Sequence, residues 1–231
     1  MASRDPFLIA LSGGSGSGKS TLAEALLERI GRDRAVLIGE DAYYRPMTDY
    51  GPTETEAQRR AIIEAINYDS PAAKEAHRLM ADLRALKSGH SVEAPVYDYA
   101  RHDRSEQTRR LEAVDVILLE GIHALSMPEI TSLIDLSVYV DTPDDLRLAR
   151  RLRRDVRDRG RDVEDVLSQY LSTVRAAHYS YTFPAKFQAD LVIADEGLPA
   201  YGHLRPTAAA IERMLAPVLE RLVSEGVLAQ A

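Results

Sequence analysis

Nine consecutive residues near the start of the chain have the composition of a loop that binds phosphate. They read Gly-Gly-Ser-Gly-Ser-Gly-Lys-Ser-Thr and fit the spacing G-x-x-x-x-G-K-[ST]. Glycines let backbone N–H groups turn inward around phosphate oxygens, and a helix that begins at the loop adds partial positive charge. Lys19 can then reach the outer phosphates, and Ser20 can bind magnesium. The predicted nucleotide-binding residues are Gly13, Gly14, Ser15, Gly16, Ser17, Gly18, Lys19, Ser20 and Thr21.

The alternative for this loop is a flexible glycine-serine connection without a ligand. An apolar run, Phe7–Leu11, precedes the loop, and Leu22, Leu26 and Ile30 share one helical face after it. A strand before the loop and an amphipathic helix after it are the context in which this motif binds phosphate. The sequence therefore favours the phosphate site.

Two further apolar runs end in acidic residues. Glu120 follows Val116–Leu119, and Asp41 stands just beyond Val36–Ile38, next to Glu40. Magnesium prefers hard oxygen ligands, so Glu120 is predicted to bind the metal of a nucleotide, directly or through water. Asp41 can face the transferred phosphate and take the proton of an alcohol acceptor. Glu40 competes with Asp41 for this role, and the alternative is that these carboxylates only solvate strand ends or cap the next turn.

Residues 147–161 hold eight arginines and two aspartates, although the chain has a formal net charge of −7. The basic charge is therefore local, whereas a protein that coats nucleic acid is normally basic over a whole face. We accordingly expect no nucleic-acid partner. The segment itself is open to three interpretations: an ion-paired surface helix, a site for a small polyanion, or a helix that binds RNA.

Length and composition predict the general class of the protein. With 231 residues, 45% of them hydrophobic, the chain suits one large domain, and we expect a single domain over residues 1–231. The lack of cysteine excludes disulfides and thiolate metal sites. Residues 1–6 contain no apolar stretch long enough for a signal peptide, and apolar runs of about 18 residues are absent. We therefore expect a soluble cytoplasmic protein without a membrane partner.

Short β-rich apolar runs alternate with longer segments of helical period along the chain. This alternation is typical of an α/β fold in which helices cover both faces of a parallel sheet. The least regular stretch, Arg45–Pro52, precedes a polar helical segment, Glu54–Ile66. The predicted strands are Phe7–Leu11, Val36–Ile38, Val114–Leu119, Leu136–Val140 and Leu191–Ala194.

The arginine-rich segment is predicted to be a helix. Thr142 is the expected N-cap and Pro143 the first helical residue, followed by two acidic residues. Gly160 is expected to end the helix, and a second helix to begin near Asp162. The apolar residues expected to face the core recur every four positions, at Leu148, Leu152 and Val156. A neighbouring stripe holds Arg147, Arg151 and Arg154.

Seven segments occur in a fixed order along residues 7–193. They are "GGSGSGKST", "EDAYY", "NYDSP", "APVYDYARHDR", "ILLEGI", "VDTPDDLRLARRLRRDVRDRGRD" and "SQYLSTV". Their order and content resemble the uridine kinase (uridine/cytidine kinase) family. That resemblance implies transfer of the γ-phosphate of ATP or GTP, with Mg²⁺, to the 5′-hydroxyl of uridine or cytidine.

The resemblance also implies an architecture. It is a P-loop kinase with a central parallel five-stranded sheet flanked by helices, an arginine-rich helical lid at about residues 151–170, and a β-hairpin on the nucleoside side. The nucleoside-binding insertion covers about residues 43–102. A homo-oligomer, the tetramer usual in the family, is implied as well.

Residue roles on the nucleoside side follow from the matching motifs. Asp41 corresponds to the general base and a metal partner, and Asp69 to a carboxylate that accepts hydrogen bonds from the ribose hydroxyls. Tyr68 and Tyr97 correspond to residues that pack on the base, and His102 to one that recognises the pyrimidine edge. The substrate-binding residues that the resemblance implies are Tyr44, Tyr68, Asp69, Tyr97, His102, Arg151, Arg161 and Gln169.

The same resemblance gives the arginine-rich segment a function. Arg151, Arg154, Arg159 and Arg161 correspond to arginines that close over the phosphates and ribose, where they can stabilise transition-state charge. The implied catalytic residues are Asp41, Lys19, Arg151, Arg154 and Arg159, and the implied metal ligands are Ser20, Glu120 and Asp41. No role is assigned to Arg147, Arg150, Arg153 and Arg157.

Some segments depart from the family's pattern. Tyr44 and Asn67 are separated by 22 residues, more than we expect, and Ser70–Lys74 replaces a His-Pro and acidic-aromatic stretch. His123 resembles a residue of phosphoribulokinases, and residues 193–206 lack a Gly-Gly-x-Asn loop. Two alternatives to the nucleoside kinase therefore remain: a phosphoribulokinase-like sugar-phosphate kinase, and a nucleotide-binding module without turnover.

Overall fold

Five parallel strands form the central sheet of the protein, whose computed structural model describes residues 5–195 and 207–229. In chain order the strands are β1 (Phe7–Ser12), β2 (Ala35–Gly39), β3 (Val92–Asp98), β4 (Asp103–Leu111), β5 (Val116–Glu120), β6 (Leu136–Asp141) and β7 (Leu191–Ala194). The central sheet has the order β2-β5-β1-β6-β7, and β3 and β4 pair separately as an antiparallel hairpin. All five predicted strands are confirmed, with ends that differ by at most two residues.

Helices connect the strands and cover both faces of the sheet. They are α1 (Lys19–Ile30), α2 (Glu56–Ala65), α3 (Ala76–Lys87), α4 (Pro128–Thr131), α5 (Asp144–Arg159), α6 (Val163–Gln169), α7 (Arg175–Ala177) and α8 (Ala208–Ser224). Two π-helical turns, Tyr170–Val174 and His178–Thr182, flank α7, and 3₁₀ turns occur at Glu40–Tyr43, Met47–Asp49, Pro71–Ala73 and Phe183–Phe187. The predicted α/β fold, with its helical lid and hairpin, is confirmed.

Strand β1 is buried on both faces of the sheet, which explains its unbroken apolar sequence. Ile9 and Leu11 pack in a core with α1 and α8, whereas Leu8 and Ala10 pack in a second core with α3 and the hairpin. The two cores fix β1 in the centre of the sheet. As a consequence, the loop that follows β1 emerges from the buried centre of the sheet.

Helix α5 begins differently from the prediction. Pro143 occupies the N-cap position and provides no side-chain cap, so the prediction of Thr142 as the N-cap is wrong. The Thr142 hydroxyl instead donates to the carbonyl oxygen of Ser17 over 2.9 Å, which joins the start of α5 to the glycine-rich loop. Gly160 ends the helix in a left-handed conformation, and Asp162 caps α6, as predicted.

The buried face of α5 is polar, which contradicts the predicted apolar stripe. Its most buried residues are Arg147, Arg151 and Asp155. The predicted core residues Leu148, Leu152 and Val156 are only partly buried. The helix packs against the backbone of the glycine-rich loop rather than against an apolar surface. Guanidinium groups can pair with the carbonyl and carboxylate oxygens there, whereas leucine cannot.

The segment between β2 and α3 contains the extra residues noted in the sequence. Helix α2 confirms the helical segment predicted at Glu54–Ile66, and a capping box between Thr55 and Gln58 fixes its start. The irregular stretch Arg45–Pro52 holds a single 3₁₀ turn. Within the described ranges, no helix is long and apolar enough to cross a membrane. The departure noted at residues 193–206 and the expectation for residues 1–6 lie largely outside the described residues.

Candidate active site

The glycine-rich loop turns at the carboxyl end of β1 and leads directly into α1. A hydrogen bond from Ser17 N to Gly14 O, 3.0 Å long, closes the turn. Gly16 and Gly18 have φ values of 82° and 90°, which favour glycine. The backbone therefore follows a tight path that leaves its N–H groups beside the start of α1, where phosphate oxygens are favoured.

Arg147, a buried residue of α5, packs against this loop. Its side chain packs against Gly14 and its backbone against Gly16, and the arginine is only 3% exposed. The guanidinium donates to Thr142 O over 3.1 Å and to Asp144 Oδ1 over 2.6 Å. Arg150, likewise without a role in the sequence analysis, lies 2.6 Å from a carboxylate oxygen of Asp195. These two arginines are structural, whereas Arg153 and Arg157 are exposed.

Ser20 and Glu120 meet at the mouth of the loop. Strand β5 lies beside β1, and the Ser20 hydroxyl donates to Glu120 Oε2 over 3.1 Å. Burial raises the pKa of Glu120, although the charge of Lys19 opposes the shift. One hydroxyl and one carboxylate suit Mg²⁺, which takes few protein ligands and completes its shell with phosphate and water. Among the described residues, no group of three or more His, Cys, Asp or Glu forms a separate metal site.

Asp41 lies in the 3₁₀ turn that follows β2, at the same edge of the sheet. Its Oδ1 accepts a hydrogen bond from Lys74 Nζ over 2.6 Å, and its Oδ2 accepts one from the Tyr99 hydroxyl over 3.0 Å. Burial alone would raise the pKa of Asp41, but the nearby charge of Lys74 lowers it well below its ordinary range, with help from Lys19. Asp41 is therefore an ionised carboxylate, and its side chain is partly exposed to solvent.

Glu40, the competing candidate for the base, points into the protein. Its side chain is fully buried, and Oε2 accepts a hydrogen bond from the backbone N–H of His123 over 2.7 Å. A Cβ atom on Gly121 would overlap the Glu40 carboxylate, so the chain passes directly over it. Burial raises the pKa of Glu40. Its position leaves Asp41 as the acid of this turn that an acceptor can reach.

Aromatic residues from three segments form one cluster beside Asp41. The ring of Tyr44 lies 5.6 Å from that of Tyr68 and 4.9 Å from that of Tyr97, measured between centroids. His102, at the tip of the hairpin, lies 5.9 Å from Tyr68 and has a φ of 51°. Burial lowers the pKa of His102, so the neutral imidazole predominates at pH 7. The four aromatic residues named by the resemblance are therefore neighbours.

Asp69 connects the aromatic side to the lid. Its Oδ2 accepts a hydrogen bond from the Thr173 hydroxyl over 2.8 Å, and its carbonyl oxygen lies 2.9 Å from His123 Nε2. Asp69, Gly14 and Ser15 line the same small cleft. The structure thus places Asp69 beside the glycine-rich loop. Lys19, at the end of that loop, lies close enough to Asp41 for its charge to help lower the pKa of Asp41.

The lid arginines share two partners, Gln169 and Asp155. Arg151 donates to Ser15 Oγ and to Gln169 Oε1, each over 3.1 Å, and Arg161 donates to the same Gln169 oxygen over 2.6 Å. Asp155, fully buried, collects the guanidinium groups of Arg151, Arg154 and Arg159 at 3.5, 2.8 and 3.3 Å. These contacts hold the lid arginines in place, and Arg151 joins the lid to Ser15 of the glycine-rich loop.

Comparison with known proteins identifies the family of this arrangement. The model of the phosphoribulokinase / uridine kinase family matches residues 8–198. The chain belongs to this family. Uridine kinases of Lactococcus lactis subsp. cremoris and Clostridium perfringens are each 38% identical to the chain, covering 81% and 83% of it and 87% and 88% of their own lengths. The phosphoribulokinase of Rhodobacter spheroides shares the fold with a TM-score of 0.64 at 18% identity, over 98% of this chain and 100% of its own.

Some residues that contact the predicted site could not be identified from the sequence. Four residues without a predicted role each contact a predicted site residue: Lys74, Tyr99, Thr173 and Asp155. Tyr99, Asp155 and Thr173 stand inside the segments that carry the family resemblance, whereas Lys74 lies in Ser70–Lys74, the stretch that departs from the family pattern. The departure of this stretch from the family pattern is the feature of the sequence that could have drawn attention to Lys74.

Proposed function

We propose that the protein transfers the γ-phosphate of ATP or GTP to the 5′-hydroxyl of uridine and cytidine. The observation that carries this proposal is the aromatic cluster of Tyr44, Tyr68 and Tyr97, in which Tyr44, whose pKa is raised by burial, lies close enough to Asp41 and Asp69 for both carboxylates to raise its pKa further. Flat rings suit the two faces of a pyrimidine, and Asp69 offers carboxylate oxygens to a ribose diol. The names of the uridine kinases that resemble the chain support the same substrate.

The proposed reaction is one in-line displacement. The 5′-oxygen forms a bond to the γ-phosphorus while the bond from that phosphorus to the bridging oxygen of the donor breaks. The proton of the hydroxyl passes to Asp41, and the nucleoside diphosphate leaves with the bridging oxygen. Because the transition state of phosphoryl transfer is loose, alignment of acceptor and donor contributes more than basicity.

Each of the other residues has a role in this proposal. Lys19 and the N–H groups of the glycine-rich loop hold the donor's phosphates, and Arg151, Arg154 and Arg159 stabilise charge on the transferred group. Ser20 and Glu120, with Asp41, would hold Mg²⁺, which neutralises phosphate charge when bound. Tyr68, Tyr97 and His102 hold the base. Asp69, Arg161 and Gln169 contact the ribose and close the lid.

The second candidate is a sugar-phosphate kinase, because the fold is also that of a phosphoribulokinase. Asp69 would repel the dianion of such a substrate, and the aromatic cluster would have no base to hold. The same cluster opposes the nucleotide-binding module without turnover, since such a module needs no acceptor site. An RNA-binding role for the arginines is opposed by the burial of Arg147 and Arg151 and by the ion pair of the partly buried Arg150 with Asp195.

One assay separates these candidates. The protein is incubated with Mg-ATP or Mg-GTP and a panel of uridine, cytidine, adenosine and ribulose 5-phosphate. We expect turnover of both pyrimidine nucleosides, and turnover of ribulose 5-phosphate alone would refute the proposal. Asp41→Asn should lower kcat by about 10²–10⁴-fold with little change in nucleoside affinity. Asp49→Asn, which changes an exposed acid eight residues further along the chain, is the matched control.

Assembly and location are also part of the proposal. The family resemblance supports a homotetramer, and the lack of cysteine suits a cytoplasmic enzyme. Sedimentation analysis of the purified protein tests the first statement, because a monomeric mass would contradict it.

A further inference from the structure

Lys74 is a fully buried lysine that contacts the proposed catalytic carboxylate. A 3₁₀ turn, Pro71–Ala73, brings the chain back toward the end of β2. An antiparallel bridge then joins Lys74 to Tyr44, with a hydrogen bond from Arg45 N to Ala73 O over 2.9 Å and one from Glu75 N to Tyr43 O over 2.8 Å. The backbone on both sides is therefore fixed, and so is the direction in which the lysine side chain leaves it.

The ammonium group of Lys74 is surrounded by partners. Nζ lies 2.6 Å from Asp41 Oδ1, 3.4 Å from Glu40 Oε1 and 3.2 Å from the centroid of the Tyr44 ring. The side chain is 0% exposed, so these groups replace water around the charge. Glu40 is itself held by the N–H of His123. The ammonium therefore has one stable position, and Asp41 Oδ1 is bound to it.

The second oxygen of Asp41 faces outward. The Asp41 side chain is 40% exposed, and its Oδ2 accepts the hydrogen bond of the Tyr99 hydroxyl. Tyr99 belongs to the exposed end of the hairpin, and the guanidinium carbon of Arg159 lies 4.6 Å from the centroid of its ring. A hydroxyl group thus already donates to the oxygen that the proposed acceptor alcohol would use.

We propose that Lys74 is a positioning residue that fixes Oδ1 of Asp41 and so presents Oδ2 to the acceptor hydroxyl, which displaces the hydroxyl of Tyr99. The identity of the acceptor rests on the proposed function. A carboxylate bound at one oxygen cannot rotate to offer either oxygen at random, and small errors of alignment are costly in a transfer governed by geometry. The position of the Tyr99 hydroxyl marks where the alcohol binds.

The first test removes the ammonium group of Lys74 together with one neighbouring carboxylate, so that the buried charges still balance. Lys74→Met leaves Glu40 and Asp41 as unpaired neighbours and is at risk of unfolding. The double variant Lys74→Met/Glu40→Gln removes one charge of each sign and is the variant to measure, after a thermal melt shows that it is folded. We expect kcat to fall by about 10²-fold or more, while KM for ATP and for the nucleoside stays within about threefold.

Two control variants complete this test. Glu40→Gln alone shows what the second carboxylate contributes. Lys87→Met removes another ion-paired lysine, at the far end of α3, whose partner Asp135 is remote from the site. Lys87→Met should retain the wild-type kcat. If the folded double variant keeps more than half of the wild-type kcat, Lys74 is not a positioning residue.

The second test concerns Tyr99. Tyr99→Phe keeps the ring and removes the hydroxyl that the acceptor must displace. Because one hydrogen bond to a charged group no longer has to be broken, we expect KM for the nucleoside to fall by about 2- to 10-fold. A KM equal to or above the wild-type value would overturn the displacement.

The outcomes distinguish this inference from the proposed function. If wild-type protein phosphorylates another acceptor of the panel instead of a nucleoside, the proposed function fails. The ratio of kcat between variant and wild type is then measured on that acceptor. Because Asp41 would accept the proton of any acceptor alcohol in the same way, a 10²-fold loss there would still support the role of Lys74.

Discussion

The hydroxyl of Thr173 donates a hydrogen bond to Oδ2 of Asp69 over 2.8 Å. Thr173 stands in the π-helical turn Tyr170–Val174, and the two residues are separated by 104 positions in the chain. Such turns insert a residue into a helix and often occur at functional sites. Here the turn directs a lid-side hydroxyl at the carboxylate that we propose to bind ribose, so the lid and the nucleoside side share one hydrogen-bonded contact.

Replacing this hydroxyl should weaken nucleoside binding. Thr173→Val keeps the shape of the side chain but removes a hydrogen bond to a charged group, which contributes about 1.5 kcal/mol or more. We expect KM for uridine to rise by about tenfold, with a smaller change in kcat. Steady-state kinetics measure both.

A neighbouring hydroxyl is the control for Thr173. Ser172 bonds only to the carbonyl oxygen of Gln169 in the same helical turn and is exposed. Ser172→Ala should leave KM for uridine near the wild-type value. Equal KM values for Thr173→Val and wild type would show that the contact does not matter for binding.

The sheet and the glycine-rich loop could be predicted because their signals are local. Apolar runs such as Phe7–Leu11 are buried on both faces, and the loop between β1 and α1 depends on residues that are adjacent in sequence. The positions of Asp41 and Glu120 follow as well, since parallel strands end at one edge of the sheet.

The buried face of α5 could not be predicted in the same way. The periodicity of Leu148 and Leu152 suggested an apolar stripe, because hydrophobic residues are normally the buried ones. The structure buries Arg147, Arg151 and Asp155 instead, since the surface opposite them is made of backbone oxygens and carboxylates. Which surface a helix faces is a tertiary property. It is absent from the pattern of the helix itself.

The contacts of Lys74 were hidden for a related reason. Its partner Asp41 is 33 residues away, and no spacing rule connects them. The sequence showed only that the segment Ser70–Lys74 departs from the family pattern. In the structure this segment places a buried ammonium beside Asp41.

Replacing Gly16 of the glycine-rich loop with alanine tests whether the backbone there can tolerate a side chain. Gly89, elsewhere in the chain, is the control. Gly16 and Gly89 both have a φ of 82°, but a Cβ at Gly16 would overlap the carbonyl oxygen of Arg147, whereas nothing lies within 4 Å of one at Gly89. Gly89→Ala should therefore cost only about 1 kcal/mol, the penalty of the left-handed conformation. Gly16→Ala should cost at least about 2 kcal/mol more.

Urea denaturation measures both unfolding free energies, and KM for ATP reports the loop itself. We expect Gly16→Ala to raise KM for ATP by about tenfold, because the loop must shift to relieve the overlap. Similar stabilities for the two alanine variants would mean that the loop moves away from Arg147 without cost.

Asp155 should be important for stability as well as for the lid. It is fully buried and pairs with Arg151, whose side chain is 8% exposed, and with Arg154 and Arg159. Asp155→Asn keeps the shape but removes the charge, which leaves a buried guanidinium uncompensated and should lower the unfolding free energy by about 3 kcal/mol. Chemical denaturation measures the loss.

Asp158 provides the comparison for Asp155 on the same helix. It is exposed, so Asp158→Asn should change the unfolding free energy by no more than about 0.5 kcal/mol. An equally small effect of Asp155→Asn would show that the arginines are held by other contacts.

The lowered pKa of the buried His123 predicts that the free energy of unfolding depends on pH. Burial lowers its pKa from the ordinary 6.5 to about 4, and the charge of Lys74 adds to the effect, although Asp41 and Asp69 oppose it. Between these two values the unfolded chain binds a proton that the folded protein does not. The contribution of His123 to stability therefore falls as the pH falls from about 6.5 toward 4, by as much as about 1.4 kcal/mol per pH unit.

His123→Gln should reduce this dependence, because glutamine does not titrate while its amide can still donate to the carbonyl oxygen of Asp69. Urea denaturation between pH 8 and pH 5 gives the slope for both proteins. The difference at pH 8, where His123 is neutral in both states, measures what the substitution costs apart from titration. If the variant loses as much stability as wild type between pH 6.5 and 5, the acid sensitivity comes from other groups, of which His178, whose pKa is also about 4, is the first to test.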